Sequence, residues 1–184
     1  MKKVVFFDGD GTLWYPNSTK RTVKPHWVYL DKSMSDPIAE FVVTPQTVET
    51  LRELGERGIK RVLLSTSPLP EDEAILHRIE VVNRLNLRGL LDDVRVAPDY
   101  RDGKGERALQ LLKEYGISKK DALLIGDMYN WDYKPAQDVG IDALLIDSDY
   151  ERDYAKSMGV TDFVTDISGI LPFLGINRPA LWRG

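Results

Sequence analysis

Short runs rich in β-branched and aliphatic residues recur along the chain at Val4 to Phe7, Arg61 to Leu64, Val94 to Ala97, Ala122 to Ile125 and Ala143 to Ile146. Each has the length of a strand buried on both faces. Amphipathic helical patterns lie between them. One opens at Thr44-Pro45, a capping residue followed by proline, carries Val48, Leu51 and Leu54 inward and stops at Gly58. Another follows the acidic opening Glu71-Asp72-Glu73 and places Ile75, Ile79, Val82 and Leu85 on one stripe. A third runs from about Gly105 to Tyr115 and ends at Gly116. Such alternation predicts a doubly wound, Rossmann-like α/β fold: a parallel sheet with right-handed crossovers and helices on both faces.

A chain of 184 residues is one domain at roughly 100 to 200 residues each, so residues 1–184 read as a single unit. Residues 14–45 break the pattern. They hold Pro16, Pro25, Pro37 and Pro45 with Trp14 and Trp27 and show no sustained period, which marks a small inserted cap or loop. The balance of 25 basic against 29 acidic residues, a formal net charge of -4, argues against a nucleic-acid partner. With no cysteine, disulfide frameworks, thiolate zinc sites and cysteine nucleophiles all drop out, and a cytoplasmic setting fits. The apolar stretch after Lys3 ends at Asp8, far too short for a signal sequence or a membrane span.

In open parallel sheets ligands bind beyond the carboxyl ends of the strands. There the sequence turns polar: Asp8-Gly9-Asp10-Gly11-Thr12, Ser65-Thr66-Ser67, Gly103-Lys104-Gly105 and Gly126-Asp127, with Asp132 five residues further on. Asp8 and Asp10 would point to one side, about 6 to 7 Å apart along the strand. Carboxylates so placed repel unless a cation or proton intervenes, and an all-oxygen cluster suits Mg²⁺. Asp8 is then a candidate nucleophile for phosphoryl transfer and Asp10 a proton shuttle. Lys104 would supply charge, and Ser65 or Thr66 a hydroxyl, to the phosphoryl oxygens.

This ordered set resembles the haloacid dehalogenase superfamily, specifically its Mg²⁺-dependent phosphatases. Asp8 through Leu13 is similar to the first motif, Ser65 to the second, Lys104 to the third, and Gly126-Asp127 through Asp132 to the fourth, so the likeness runs from residue 4 to about 146. It implies a nucleophile at Asp8 and an acid/base at Asp10 that also meets the metal through its backbone carbonyl. Asp127 would be a direct ligand, and Asp132 would orient a metal-bound water. Thr12 of the first motif joins Ser65, Thr66 and Lys104 as a phosphate-binding candidate. The sheet order of the family places the first strand centrally. The second aspartate, Asp10, favours phosphoryl transfer over dehalogenation. The five-residue interval from Asp127 to Asp132 is longer than the four found in many members. The aromatic sequence after Leu13 is also similar to small magnesium-dependent phosphatases acting on phosphotyrosine or sugar-phosphate groups. A small phosphorylated metabolite is the expected substrate, with a phosphoprotein as the alternative.

Plainer roles compete at several positions. Asp132 could cap the helix containing Pro135, and Ser65 the helix after it. His26 reads as a loop residue and His77 as a solvent-facing one. Asp147 and Asp149 are expected to be structural. Trp14, Tyr15, Trp27, Tyr29, Tyr129 and Trp131 could stack on substrate or pack with one another. Lys20, Arg21 and Lys24 form a basic cluster that could hold an anionic substrate. Two other activities remain open on these residues: a phosphotransferase or phosphomutase, and a receiver-like domain that keeps phospho-aspartate as a signal.

Overall fold

The computed structural model describes residues 2–24, 35–98 and 103–176. Its main sheet contains β1 (Val4–Phe7), β4 (Lys60–Thr66), β5 (Asp93–Ala97), β6 (Ala122–Gly126), β7 (Asp142–Ile146) and β8 (Phe163–Val164). The spatial order is β5-β4-β1-β6-β7-β8, and every neighbouring pair is parallel. From β1 the chain winds outward through β4 and β5, then returns to the other side of β1 and winds outward again. That reversal places a topological switch point beside β1, where ligands of such sheets bind.

Strict alternation along β1 divides the interior. Val5 and Phe7 enter a core with Leu51 and Leu54 of α1 (Thr47–Glu56), Val81 and Val82 of α2 (Glu71–Arg84) and Ile170 of α6 (Ile170–Phe173). Val4 and Phe6 face the other way, into a core with Ala108, Leu111 and Leu112 of α3 (Gly103–Tyr115) and Ala136 of α4 (Lys134–Asp138). All four β1 side chains have no exposed surface. A third, smaller cluster joins Leu145 to Ala155 of α5 (Arg152–Ser157), with Tyr129 and Val160. Among the described residues no helix is long and apolar enough to cross a membrane.

Part of the 14–45 segment pairs with itself. β2 (Trp14–Pro16) runs antiparallel to β3 (Phe41–Val43), with Trp14 opposite Val43. Trp14 and Phe41, ring centroids 6.4 Å apart, belong to the same core as α1, so the base of the insert is rooted in the fold. Residues 25–34, including His26, Trp27 and Tyr29, lie outside the described residues, as does the Leu181-Trp182 pair.

Two helices differ from their expected form. α1 begins at Thr47, not at the Thr44-Pro45 pair. The Thr44 hydroxyl is drawn to the carbonyl of Thr12 at 2.7 Å, which ties β3 to the loop after β1 instead of capping a helix. In α2 the wholly buried positions are Ala74, Arg78, Val81 and Val82, with Ile79 and Leu85 partly buried against the same core, so the predicted stripe holds at Val82, Ile79 and Leu85 and the inward face is widened beside it to take in an arginine. His77, beside that arginine, is half-buried; burial first and then the charge of Arg78 lower its pKa to about 4.

Candidate active site

Three strand ends and one helix start build the site. β1 ends at Phe7, and Asp8 follows, its backbone N–H donating to the carbonyl of Ile125 at 2.9 Å. β6 ends at Gly126, and Asp127 follows it. β4 carries Ser65 and Thr66 at its end, and α3 presents Lys104 from its first turn. These residues line one cavity of about 210 Å³, together with Asp10, Lys24, Met128 and Trp131.

Lys104 is the hub. Only 2% exposed, it donates to Asp8 Oδ1 at 2.7 Å and to Asp132 Oδ1 at 2.5 Å. Burial works against its charge, but the carboxylates of Asp132 and Asp8 outweigh it and hold the ammonium above its ordinary pKa. Burial pushes Asp132 up to about 6; Lys104 opposes that rise and Asp8 adds to it. Burial, then the charges of Asp8 and Asp132, drive Asp127 well above the usual carboxylate range, although the Tyr150 hydroxyl donates to its Oδ2. Carboxylate oxygens of Asp8, Asp127 and Asp132 lie within 4.8 Å of one another. Asp127 Oδ1 is buried without a hydrogen-bond partner among the described residues. A hard divalent cation such as Mg²⁺ fits an all-oxygen set of this kind, short of positive charge and with a bare acceptor turned inward.

The long interval between Asp127 and Asp132 has a local cause. Residues Tyr129–Tyr133 form one π-helical turn, in which Tyr133 N–H reaches the carbonyl of Met128 at 3.3 Å and Lys134 N–H that of Tyr129. A π turn accommodates one residue more than an α turn. Asp132 thereby swings back over the end of β6 and accepts from the N–H of Met128 at 3.0 Å. Gly126 makes room, because a Cβ there would stand 2.0 Å from Asp132 Cγ. Asp132 therefore does not cap α4, whose N-cap is Tyr133. Gly11 is equally constrained. It has φ +79°, and a Cβ on it would meet Asp127 Oδ2 at 2.1 Å.

The family model for haloacid dehalogenase-like hydrolases matches residues 34–140, more than half of the chain. The chain belongs to the haloacid dehalogenase-like hydrolases. A curated relative, the glyceraldehyde 3-phosphate phosphatase of Methanocaldococcus jannaschii, is 28% identical over 101 residues, which cover 53% of this chain and 41% of that protein. The chain thus matches about two fifths of that relative's length. Among solved structures, a haloacid dehalogenase-like family hydrolase from Streptococcus pneumoniae superposes with a TM-score of 0.67 at 16% identity, covering 94% of this chain and 98% of the other. The D,D-heptose 1.7-bisphosphate phosphatase from B. bronchiseptica, solved with magnesium and phosphate, gives a TM-score of 0.64 at 13% identity, with 95% and 98% covered. At those identities the structures speak to the fold.

Within this haloacid dehalogenase-like fold, the residues singled out by sequence separate into groups. Asp8, Asp10, Ser65, Thr66, Lys104, Asp127 and Asp132 meet at the cavity. Thr12 does not: it is wholly buried, its hydroxyl has no hydrogen-bond partner among the described residues, and it lies outside the lining, while its carbonyl accepts from the Thr44 hydroxyl. The carboxylate of Asp10 stands apart from the three-carboxylate cluster. Its Oδ1 accepts from the Trp14 indole at 2.9 Å, and its Oδ2 faces the Arg78 guanidinium at 2.9 Å. Ser65 caps no helix, since α2 starts at Glu71.

The basic cluster also divides. Arg21 turns inward, donating to the carbonyls of Gly11 and Thr165 at 2.9 Å each, so it straps the loop; Lys24 alone of the three lines the cavity. Asp147 pairs with Arg152 at 2.6 Å, and Asp149 lies 3.4 Å from the same guanidinium. Tyr129 packs against Tyr133 and Tyr154, whereas Trp131 lines the cavity. Arg78 and Tyr150 escaped the sequence reading. The signal for Arg78 was the apolar pair Ala74 and Val81 flanking the predicted stripe, with one charge between them; an arginine so buried implies a carboxylate nearby. Tyr150 follows two structural aspartates, and nothing in the local pattern marks it.

Proposed function

We propose that the chain is a Mg²⁺-dependent phosphatase that hydrolyses phosphate monoesters of small metabolites through a phospho-Asp8 intermediate. One observation carries the reading: Asp8, Asp127 and Asp132 cluster at the switch point of the sheet, Lys104 pairs with two of them, and a carboxylate oxygen of Asp127 has no hydrogen-bond partner among the described residues. Asp8, Asp127 and Asp132 would hold the ion, with the backbone carbonyl of Asp10 as a further ligand. When bound, Mg²⁺ supplies positive charge to the phosphoryl oxygens and to the crowded carboxylates.

Asp8 attacks phosphorus as the bond to the leaving oxygen breaks, and Asp10 gives that oxygen its proton. Water then attacks the phosphorus of the aspartyl-phosphate, yields its proton to Asp10 and releases inorganic phosphate and Asp8. Lys104 keeps Asp8 oriented and places its charge beside the transferring group. The Thr66 hydroxyl, buried at the cavity wall and without a partner among the described residues, offers a donor to a phosphoryl oxygen, as does Ser65 next to it. A cavity of about 210 Å³ with Lys24 and Trp131 in its wall suits a small anionic ester. The absence of cysteine supports a cytoplasmic setting.

The test is a Mg²⁺-dependent screen over three-carbon and larger sugar phosphates, phosphoglycolate, nucleotides and phosphotyrosine, repeated with Asp8→Asn. Many-turnover release of phosphate is expected from the native chain, with a loss of roughly 10⁴-fold or more in the variant at unchanged circular dichroism. Retained hydrolysis in the variant overturns the mechanism. Phosphorylation that stops at one equivalent assigns a phosphoacceptor domain, and transfer to added alcohols a phosphotransferase.

A further inference from the structure

An acid/base works only if its carboxyl is held where the proton must pass. Asp10 is held by two donors on two different oxygens: Trp14 Nε1 at Oδ1 and Arg78 at Oδ2, each at 2.9 Å. Asp10 lines the cavity, whereas Arg78 does not and is 1% exposed. Arg78 therefore touches the acid/base from behind and is out of reach of a substrate.

Its surroundings make it an unusual choice for packing alone. It stands on the inward face of α2 with Ala74, Val81 and Val82, where a methionine or leucine would fit without desolvating a guanidinium. The same NH2 group also donates to the carbonyl of Thr66 at 3.2 Å. One buried side chain thus links the carboxyl of Asp10 to the end of β4, the strand that brings Ser65 and Thr66 to the cavity.

We propose that Arg78 is a positioning residue for the acid/base Asp10, clamping its carboxyl against the end of β4 so that the proton is delivered to the leaving oxygen. The inference rests on the phosphatase reading above. In the first step Asp8 bonds to phosphorus, the ester P–O bond breaks, and the proton of Asp10 passes to the departing oxygen. A nitrophenolate departs readily without that proton; an alkoxide does not. The residue that aligns Asp10 therefore matters for alkyl esters and little for activated aryl esters.

The experiment compares kcat/KM for 4-nitrophenyl phosphate and for an alkyl phosphate such as glycerol phosphate in the Mg²⁺-loaded protein, for Asp10→Asn, Arg78→Met and Arg78→Lys. Because kcat/KM reports the steps through formation of the phosphoenzyme, slow hydrolysis of phospho-Asp8 does not obscure the comparison. Arg78→Met is expected to lower the alkyl value by about 10²-fold, the lower end of the usual acid/base contribution, and the aryl value only a few-fold. Arg78→Lys, which keeps the charge and serves alone if the methionine variant does not fold, should show the same split at smaller size. Equal losses on both esters in the Arg78 variants, with a split in Asp10→Asn, would reduce Arg78 to a structural role and overturn the inference. No split in Asp10→Asn itself would overturn the acid/base reading of Asp10, and the Arg78 inference with it.

Discussion

Asp8 and Asp10 are two residues apart, yet they sit in opposite electrostatic company. Asp8 shares a buried space with Asp127 and Asp132, and one ammonium, Lys104, stands against the three carboxylates. Asp10 faces a full positive charge and an indole N–H. The first neighbourhood lacks positive charge and would be completed by a metal; the second is satisfied by the protein alone. The proposed mechanism asks for one bond-forming and one proton-handling carboxylate, which need different surroundings, and a single turn of chain after β1 separates two such environments.

Removing the Lys104 charge should break this contrast most severely. In Lys104→Met the carboxylates would face one another without a counter-charge, and breaking a buried pair by deleting one partner costs about 3 to 5 kcal/mol. Urea unfolding in EDTA should show a loss of that size, and saturating Mg²⁺ should restore part of it. Unchanged stability in EDTA would mean that the carboxylates are not crowded as the geometry indicates.

A smaller effect should come from the rear of the three-carboxylate cluster. The Tyr150 hydroxyl donates to one oxygen of Asp127 and leaves the other bare. Tyr150→Phe frees that carboxyl to turn, and second-layer partners of this type are worth about 10-fold or more in metal affinity. Calorimetric titration of the folded, metal-free protein with Mg²⁺ should report that weakening; an unaltered dissociation constant would show that packing alone orients Asp127.

The smallest effect belongs to the Asp10 side, where His77 lies beside Arg78. Its pKa falls from an ordinary 6.5 to about 4 through burial and then the arginine charge. Between those values the unfolded chain binds a proton that the folded chain refuses. Stability is therefore full above about 6.5 and declines as pH drops toward 4. A half-exposed ring keeps the effect modest. His77→Gln should match the native melting temperature at pH 8 and exceed it slightly at pH 5; parallel curves across that range would remove the assignment.

The strands were legible because burial on both faces leaves continuous apolar runs: Val4–Phe7 begins and ends where expected, and β6 extends the predicted run only by Gly126. Asp8 and Asp127 were legible for a related reason, since polarity placed immediately after such runs falls on the ligand-binding rim, whereas Lys104, between two glycines at the start of α3, was legible through its place in the motif set. Helix faces were less so. An apolar stripe counts only apolar residues, so it found Val82, Ile79 and Leu85 but could not anticipate that α2 would bury Arg78 beside them. Thr44 looked like a cap because local chemistry permits one, but its hydroxyl found a carbonyl 32 residues away in sequence. Thr12 was placed at the cavity by its membership of the first motif, whereas the turn that follows Asp10 buries it. Tyr150 depends on a fold-wide meeting of β6 with the loop after β7, which no local pattern records.

The Lys104 ammonium has one more consequence. It joins a residue 96 positions before it to another 28 positions after it. Contacts of such separation form only once the intervening chain has been gathered in, which makes them late and cooperative events in folding. The site therefore has no fragment-level precursor: a half-grown chain released before β6 would hold Asp8 and Lys104 but neither Asp127 nor Asp132. Mg²⁺ affinity should thus arise in one step with completion of the sheet, and a metal titration made during refolding would time the arrival of β6 beside β1.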